Sequence, residues 1–135
     1  MKHLLGAIVT HGNVLNLVNW WEGFFDLNAH DNVLLFSSLS FIMSLRQYVP
    51  TLHAGGTLVI PKLSVEFESA IMMGKVNKLI CTPSALAALD VEKVSPLIEY
   101  VQVAGEAPRV STMVKWKSRV HKLFIGLGPT GKGIR

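Results

Sequence analysis

Short apolar runs alternate along the whole chain with segments in which apolar residues recur at helical spacing. Each short run is bounded by glycine, proline, serine or polar residues, as is typical of strands buried on both faces. Such strands alternating with amphipathic helices indicate a parallel sheet covered on both sides. We therefore predict a three-layer α/β sandwich, flavodoxin-like or Rossmann-like, with a mostly parallel sheet of about five strands. The predicted strands are Val33–Phe36, Leu58–Ile60, Leu79–Cys81, Val101–Val103 and Leu123–Ile125.

The helices carry recognisable start and stop signals. Thr10 offers a capping side chain before the first helix, and Pro83 and Pro108 stand where proline commonly opens a helix. Pro50 is expected to shorten or kink the second helix, because proline lacks the amide proton that a helix interior uses. The predicted helices begin near Val14 and then cover Phe41–His53, Val65–Met73, Ser84–Leu89 and Arg109–Arg119.

The distinctive polar and glycine-rich segments all follow predicted strands. In open α/β sheets, ligands bind beyond the carboxyl ends of the strands. The sequence therefore predicts a site at one edge of the sheet. The segments at that edge are Ser37–Ser38, Thr82–Ser84, Gly105–Ala107 and Gly126–Thr130.

The composition narrows the class of protein. The chain has 135 residues, 50% apolar and 16% charged, which fits one compact domain. Its longest apolar stretch, Val33–Leu45, is interrupted by serines and is too short to cross a bilayer. The net charge of +4 comes without the aromatic pattern of RNA-binding domains, and the single cysteine, Cys81, excludes an internal disulfide. With no secretory signal pattern, we expect a cytoplasmic protein without membrane or nucleic-acid partners.

Two nucleotide-binding signatures overlap near the end of the chain. Gly126 to Lys132 follow the P-loop spacing G-x-x-x-x-G-K, but Gly133 stands where serine or threonine is required. A P-loop also needs a following helix, whose amide groups bind phosphate. Alternatively, residues 128–130 form the Gly-Pro-Thr core of an adenylate-forming enzyme. The rest of the chain favours this second interpretation.

Six short motifs occur in an order that resembles the adenylate-forming enzymes, most closely the adenylation domains of nonribosomal peptide synthetases. The resemblance covers residues 6–130, interpreted as one α/β subdomain, with residues 1–5 and 131–135 outside the family pattern. Each motif is weak alone, but their order and spacing on one sheet edge are specific together. The motifs are Gly6–His11, Phe36–Ser44, Leu52–Ile60, Thr82–Ser84, Ala104–Ala107 and Gly128–Thr130.

The resemblance implies a ligase that activates a small carboxylic acid with ATP and magnesium and transfers it to a carrier protein. The remainder of an adenylation domain would be its partner. It assigns Gly105, Glu106 and Ala107 to the adenine side and Gly128, Pro129 and Thr130 to the phosphates, but no catalytic residue and no metal ligand. Glu106 is expected to cap the helix opening at Pro108, to contact the nucleotide, or both. The acyl pocket would be lined by Phe41, Ile42, Met43, Arg46, Ile80, Gln102, Ala104 and Gly126.

Three departures from the family pattern weaken the expected activity. Ile42 stands where an aspartate usually pairs with the α-ammonium of an amino acid, so a keto, hydroxy, aryl or β-amino acid is the expected substrate. Leu127 replaces the ring that stacks on adenine, and Gly131 replaces the magnesium-binding glutamate. We expect little or no turnover and no tightly bound cofactor. The alternatives are an autonomous binding module and, less favoured, a small P-loop nucleotide binder.

Overall fold

A computed structural model of the chain describes residues 8–62 and 64–126. Five parallel strands form one sheet in the order β2-β1-β3-β4-β5, flanked by helices. The predicted α/β sandwich is confirmed, and each predicted strand overlaps an observed one. The strands are β1 (Asn32–Leu34), β2 (Thr57–Val59), β3 (Lys78–Cys81), β4 (Tyr100–Ala104) and β5 (Lys122–Gly126). The helices are α1 (His11–Phe25), α2 (Ile42–His53), α3 (Phe67–Met73), α4 (Pro83–Ala88), α5 (Val91–Val94) and α6 (Val110–Lys117).

The two faces of the sheet carry separate apolar cores, because successive strand residues point to opposite sides. On one face, α1 and α2 cover a cluster that includes Trp21, Phe25 and Ile80. On the other face, the later helices cover a larger cluster that includes Leu79 and Trp116. Burial on both faces explains why β3 and β4 are apolar throughout most of their length.

Helix α2 differs from its prediction. It continues through Pro50 and ends at His53, so proline does not shorten it. The side chain of Thr51 donates a hydrogen bond to the backbone oxygen of Gln47 at 2.5 Å, and Pro50 and Thr51 are both buried. Tertiary packing therefore compensates for the amide proton that Pro50 lacks.

Smaller differences concern the other helices. Helix α3 begins at Phe67 rather than near Val65, and the short helix α5 had no counterpart in the sequence analysis. Pro83 opens α4 as predicted, with Thr82 as the capping residue. Within the described ranges, none of the helices combines the length and apolar character needed to cross a membrane.

A buried ion pair lies at the amino ends of the strands. Nζ of Lys78 is 2.8 Å from Oδ2 of Asp31, and the two side chains are 2% and 4% exposed. Lys78 also donates to the backbone oxygens of Phe25 and Asp26, and its Nζ lies 4.6 Å from the ring centroid of Tyr100. Asp31 accepts further bonds from the backbone amide of Asn28 and, at 2.8 Å, from Nδ2 of Asn77. The charges at this end are thus paired and hydrogen-bonded within the fold.

Candidate functional site

The strand order reverses between β1 and β3, since the chain runs from β1 outward to β2 and then returns to β3. In doubly wound sheets, the carboxyl ends of the two strands at such a reversal border the ligand-binding crevice. The turns after β1, β3 and β4 begin at Leu35, Thr82 and Gly105, and all three lie at this edge. The predicted polar edge therefore coincides with the position at which this topology favours a ligand.

Gln47 links the two strands that border the reversal, and the sequence analysis missed it. Its Nε2 donates to the backbone oxygen of Ile80 at 2.5 Å and to Oγ of Ser37 at 3.2 Å. Its Oε1 accepts from the amide of Ser37 at 3.1 Å. The side chain is fully buried on the face of α2 that carries Met43, one turn earlier. A polar residue within an apolar helical stripe was the signal that could have identified it.

Three of the predicted acyl-pocket residues pack together. Met43, Ile80 and Ala104 belong to one apolar cluster and are at most 4% exposed. Cε of Met43 also reaches the end of β4, where it would lie 3.8 Å from a Cβ added to Gly105. These residues form an apolar wall at the carboxyl ends of β3 and β4.

Gln102 and Gly126 adjoin that wall. Gln102 is the register partner of Ile80, and Gly126 is the register partner of Ala104, so all four share one face of the sheet. A Cβ added to Gly126 would lie 2.9 Å from Nε2 of Gln102. Because glycine has no side chain, Gly126 leaves room for the Gln102 amide.

The remaining predicted pocket residues lie at the start of α2 and are more open to solvent. Phe41 and Ile42 are 47% and 51% exposed, and with Tyr48 they line a shallow surface groove. Arg46 is half-buried, and desolvation lowers the pKa of its guanidinium. Met43 of the same helix packs in the cluster on the face of the sheet that carries Gln102, so Ile42 also lies on that side. Ile42 lines the surface groove, whereas Gln102 does not.

On the predicted adenine side, Glu106 contacts a different helix from the one expected. Its Oε2 accepts bonds from the hydroxyl of Ser84 and, at 3.3 Å, from the amide of Ser84. Helix α6, which follows Pro108, has Arg109 as its capping residue and no capping side-chain bond. The expected cap on the helix after Pro108 is therefore wrong, because Glu106 reaches across to the first turn of α4, where unpaired amides attract negative charge.

The turn that carries Glu106 is exposed. Gly105 has φ of +94°, a conformation that favours glycine, and Ala107 lies beside Glu106 in the wall of an open cavity of about 200 Å³. Ser84 and Arg109 complete the polar part of that wall. The turn thus presents backbone groups and one anchored carboxylate to solvent.

Other reactive groups in the described part of the chain do not extend this site. Cys81 ends β3 on the opposite face, and burial raises the pKa of its thiol to about 12, which makes it a poor nucleophile. Within residues 8–62 and 64–126, no three His, Cys, Asp or Glu side chains are grouped to hold a metal ion. Residues 127–133, with the predicted phosphate contacts Gly128, Pro129 and Thr130 and with Lys132, lie outside the described ranges.

The five-strand parallel sheet with its flanking helices matches the fold of the Vibrio cholerae adenylation domain AlmE, which superposes over 92% of this chain and 25% of its own with a TM-score of 0.79 at 20% identity. The family model for the AMP-binding enzyme matches residues 6–133. The chain belongs to the AMP-binding enzyme family, and the resemblance stated from its motifs is confirmed.

The relatives are nonribosomal peptide synthetases. CmlP of Streptomyces venezuelae is 34% identical over 90% of this chain, and the hybrid PKS-NRPS synthetase TAS1 of Pyricularia oryzae is 31% identical over 93%. The four-domain synthetase AB3403, solved with AMP and glycine, superposes over 95% of this chain with a TM-score of 0.83 at 19% identity. The chain spans 13%, 8% and 10% of the lengths of CmlP, TAS1 and the AB3403 chain. It therefore corresponds to a small part of each.

Proposed function

We propose that this chain is the acyl-substrate-binding subdomain of a ligase that activates a carboxylic acid with ATP, as in nonribosomal peptide synthesis. The observation that carries the proposal is the family match over residues 6–133, combined with the apolar wall at the carboxyl ends of β3 and β4. In this reaction a carboxylate oxygen attacks the α-phosphate of ATP, and pyrophosphate leaves. The thiol of a carrier protein then loses its proton and attacks the acyl carbon of the adenylate, which forms a thioester and releases AMP.

The role of this chain in that reaction is to hold and orient the reactants. The exposed turn at Gly105–Ala107 fits the adenine side, because its backbone groups are accessible and Ser84 fixes the position of its carboxylate. Backbone groups can approach a nucleotide closely at a glycine, which has no side chain. Within the described ranges, no three His, Cys, Asp or Glu side chains are grouped to hold a metal ion, and Glu106 binds Ser84.

The acyl wall favours an acid without an α-ammonium group. Met43, Ile80 and Ala104 offer apolar surface, and Ile42 cannot pair with a cation. Burying an unpaired ammonium is costly. Ile42, which departs from the family pattern, therefore supports a keto, hydroxy, aryl or β-amino acid as the substrate.

Pyrophosphate exchange tests the proposal. The natural full-length protein that carries this chain should exchange labelled pyrophosphate into ATP with at least one acid from a panel of keto, hydroxy, aryl, α-amino and β-amino acids. The isolated chain should show little or no exchange, because it contributes only part of the charge-stabilising machinery that such a reaction needs. Failure of the full-length protein with every acid would contradict the proposed function, and robust exchange by the isolated chain would contradict its inactivity.

Calorimetry with ATP separates this proposal from a P-loop function. Nucleotide binding by the chain should be weak and should decrease more in Glu106→Ala than in Lys132→Ala. A base-stacking contact is worth about 1–3 kcal/mol, so Leu127 in place of the usual ring is expected to weaken binding about ten-fold or more. A larger loss in Lys132→Ala would favour a P-loop instead.

An autonomous interaction module is the second candidate, and exposed aromatic residues beside β5 favour it. Trp20 and Phe24 are 36% and 41% exposed, and their stacked rings have centroids 4.5 Å apart. The ring centroid of Phe24 also lies 4.5 Å from that of Phe124. In the leading proposal, the remainder of an adenylation domain covers this surface. Size-exclusion chromatography with light scattering distinguishes a self-associating module from a monodisperse monomer, and Trp20→Ser with Phe24→Ser should abolish any association through it.

A further inference from the structure

The two strands that border the strand-order reversal, β1 and β3, are joined by little backbone pairing. Among the described residues, their register is confined to the pair Val33 and Lys78, whereas β3 pairs with β4 along its whole length. Beyond that pair, the chain after β1 stays attached to β2, where the amide of Leu35 donates to the backbone oxygen of Val59 at 2.9 Å. Something other than a continuous strand ladder therefore sets the separation of β1 and β3 at their carboxyl ends.

The side-chain amide of Gln47 joins these two ends. Its Nε2 donates to the backbone oxygen of Ile80 at 2.5 Å, and its Oε1 accepts from the backbone amide of Ser37 at 3.1 Å. A backbone donor after β1 and a backbone acceptor in β3 thus bond to one side chain, where paired strands would bond to each other. Because a primary amide carries both a donor and an acceptor, it links the two ends and also keeps them apart by its own width.

The surroundings of this bridge hold it in place. Gln47 is fully buried, and its Nε2 donates a second bond, to Oγ of Ser37 at 3.2 Å, so both amide hydrogens have acceptors. Met43, one turn earlier on α2, packs with Ile80 in the apolar wall of the site. Thr51, one turn later, is also buried and bonds within α2 to the backbone oxygen of Gln47. Packing on both sides along the helix therefore fixes the amide, and a fully satisfied buried network of this kind is rigid.

We propose that Gln47 is a positioning residue of the acid-activating site, and that its amide sets the width of the crevice between the turn after β1 and the end of β3. It touches no reactant and acts through Ser37 and Ile80. The Ile80 wall then meets the acid at a fixed distance from the turn after β4, which lies at the same edge of the sheet. This inference rests on the proposed function and adds a residue to its machinery.

The width of the crevice affects the rate of the reaction more than the binding of the acid. Contact of an acid with an apolar wall is non-directional and tolerates a small shift of that wall. Attack of the carboxylate oxygen on the α-phosphate requires alignment, and a displacement of about 1 Å can cost about 100-fold in rate. Loss of the bridge should therefore lower kcat and change KM little, which is the pattern of an interaction that serves the transition state.

Pyrophosphate exchange by the natural full-length protein tests this role, with the panel acid that the parent protein uses fastest. Gln47→Met keeps the approximate length of the side chain and removes all three bonds, so kcat should fall about ten-fold or more with little change in KM. Thr51→Val is the matched control, because it removes a buried bond on the same face of α2 but none between the strands. Its kcat should equal that of the parent protein. An equal fall of kcat in both variants would overturn the proposal.

Temperature separates misalignment from loss of folded protein. Partial unfolding also lowers the apparent kcat at constant KM, but this loss recovers on cooling toward the temperature of greatest stability. A misaligned site stays misaligned, so the kcat of Gln47→Met relative to the parent protein should remain low on cooling. A relative kcat that returns to the parent value would show that unfolding causes the loss, and the positioning role would be wrong.

Gln47→Glu tests the bridge by its chemistry. A neutral carboxyl resembles the amide, because its hydroxyl can donate to Ile80 and its carbonyl oxygen can accept from Ser37. Burial raises the pKa of a carboxyl, and mildly acidic pH favours the neutral form further. At that pH, kcat should be higher in Gln47→Glu than in Gln47→Met. Equal kcat values in the two variants would contradict the bridge.

Failure of this inference is distinguishable from failure of the proposed function. If the parent protein exchanges pyrophosphate and Gln47→Met retains its kcat, the positioning role is wrong and the ligase function stands. If the parent protein exchanges with no acid of the panel, the proposed function fails and the inference falls with it.

Discussion

At the amino ends of the strands the buried polar groups bond to one another, whereas at the carboxyl ends one buried amide oxygen has no partner among the described residues. Lys78 and Asp31 form an ion pair whose remaining bonding capacity is used by backbone oxygens, a backbone amide and Asn77. At the other end, Oε1 of Gln102 has no partner in the described part of the chain, and the turn after β4 faces solvent. Both ends belong to the same strands, so the difference comes from the side chains and turns placed there.

A stable fold and a binding site require different hydrogen bonding of their buried polar groups. A charged pair in an apolar interior contributes to a stable fold only if hydrogen bonds satisfy each charge, and the amino end meets that condition. A binding site requires the opposite arrangement, with polar groups held in place but not saturated. Gln47 lies between these extremes, because it is saturated and yet positions the strands that border the site.

The largest expected effect comes from breaking the ion pair at the amino end. Lys78→Met leaves the Asp31 carboxylate buried without its counter-charge and should lower the free energy of unfolding by about 3–5 kcal/mol. Urea denaturation measures this loss, with Lys117→Met on the exposed surface of α6 as the control. Adding Asp31→Asn to Lys78→Met should restore part of the stability, because the unpaired charge is removed. An equal loss in both lysine variants would show that the Lys78–Asp31 ion pair does not contribute to the free energy of unfolding.

The next effect comes from Gln47, the saturated amide at the carboxyl end. Gln47→Met leaves the Ile80 oxygen and the Ser37 amide without partners and should cost about 1–3 kcal/mol in urea denaturation. Gln102→Met is the matched control and should cost nothing. If the two glutamine variants were destabilised equally, the distinction between saturated and unsaturated amides at this end would disappear.

A smaller effect is expected at the exposed turn. Ser84→Ala removes the hydroxyl that holds Glu106 and should cost about 0.5–1 kcal/mol, as should Glu106→Ala, which removes the accepting carboxylate. Because both substitutions break the same contact, the double variant should lose less than the sum of the two single losses. Strictly additive losses in a double-mutant cycle would place Glu106 outside this contact.

The smallest effect concerns an exposed pair that serves as a reference for the buried one. The amide of Asp90 and the ammonium of Lys93 lower the pKa of the Glu68 carboxyl below its ordinary value of 4.5. A lowered pKa in the folded chain stabilises the fold above pH 4.5, and this contribution is lost as the pH falls through the folded value. Glu68→Gln should therefore reduce stability slightly at pH 7 and leave it unchanged near pH 2, measured by urea titration at each pH. A greater loss at low pH would reverse the sign and exclude this contact as its source.

The strands and the family were predictable from local patterns. Short apolar runs between turn residues located β1 to β5 within a few residues, since burial on both faces requires continuous apolar side chains. The course of α2 through Pro50 was not predictable, because the burial of Pro50 depends on how the helix packs in the folded chain.

The candidate site was only partly predictable. The sequence located its edge and proposed Met43, Ile80 and Ala104 as neighbours, and the structure packs these three together. It missed Gln47 and assigned Glu106 to the wrong helix, since a side chain that bonds across the fold leaves no local pattern.

By itself, the sequence determined the order and type of the elements, the edge that carries the polar turns and membership of the AMP-binding family. Those properties depend on residues near one another in the chain or on motifs in a fixed order. Only the tertiary structure decided that Lys78 meets Asp31, that Glu106 meets Ser84 and that one of two buried glutamines stays unpaired. These pairings depend on strand order and on the faces to which side chains point, which bring together residues far apart in the sequence.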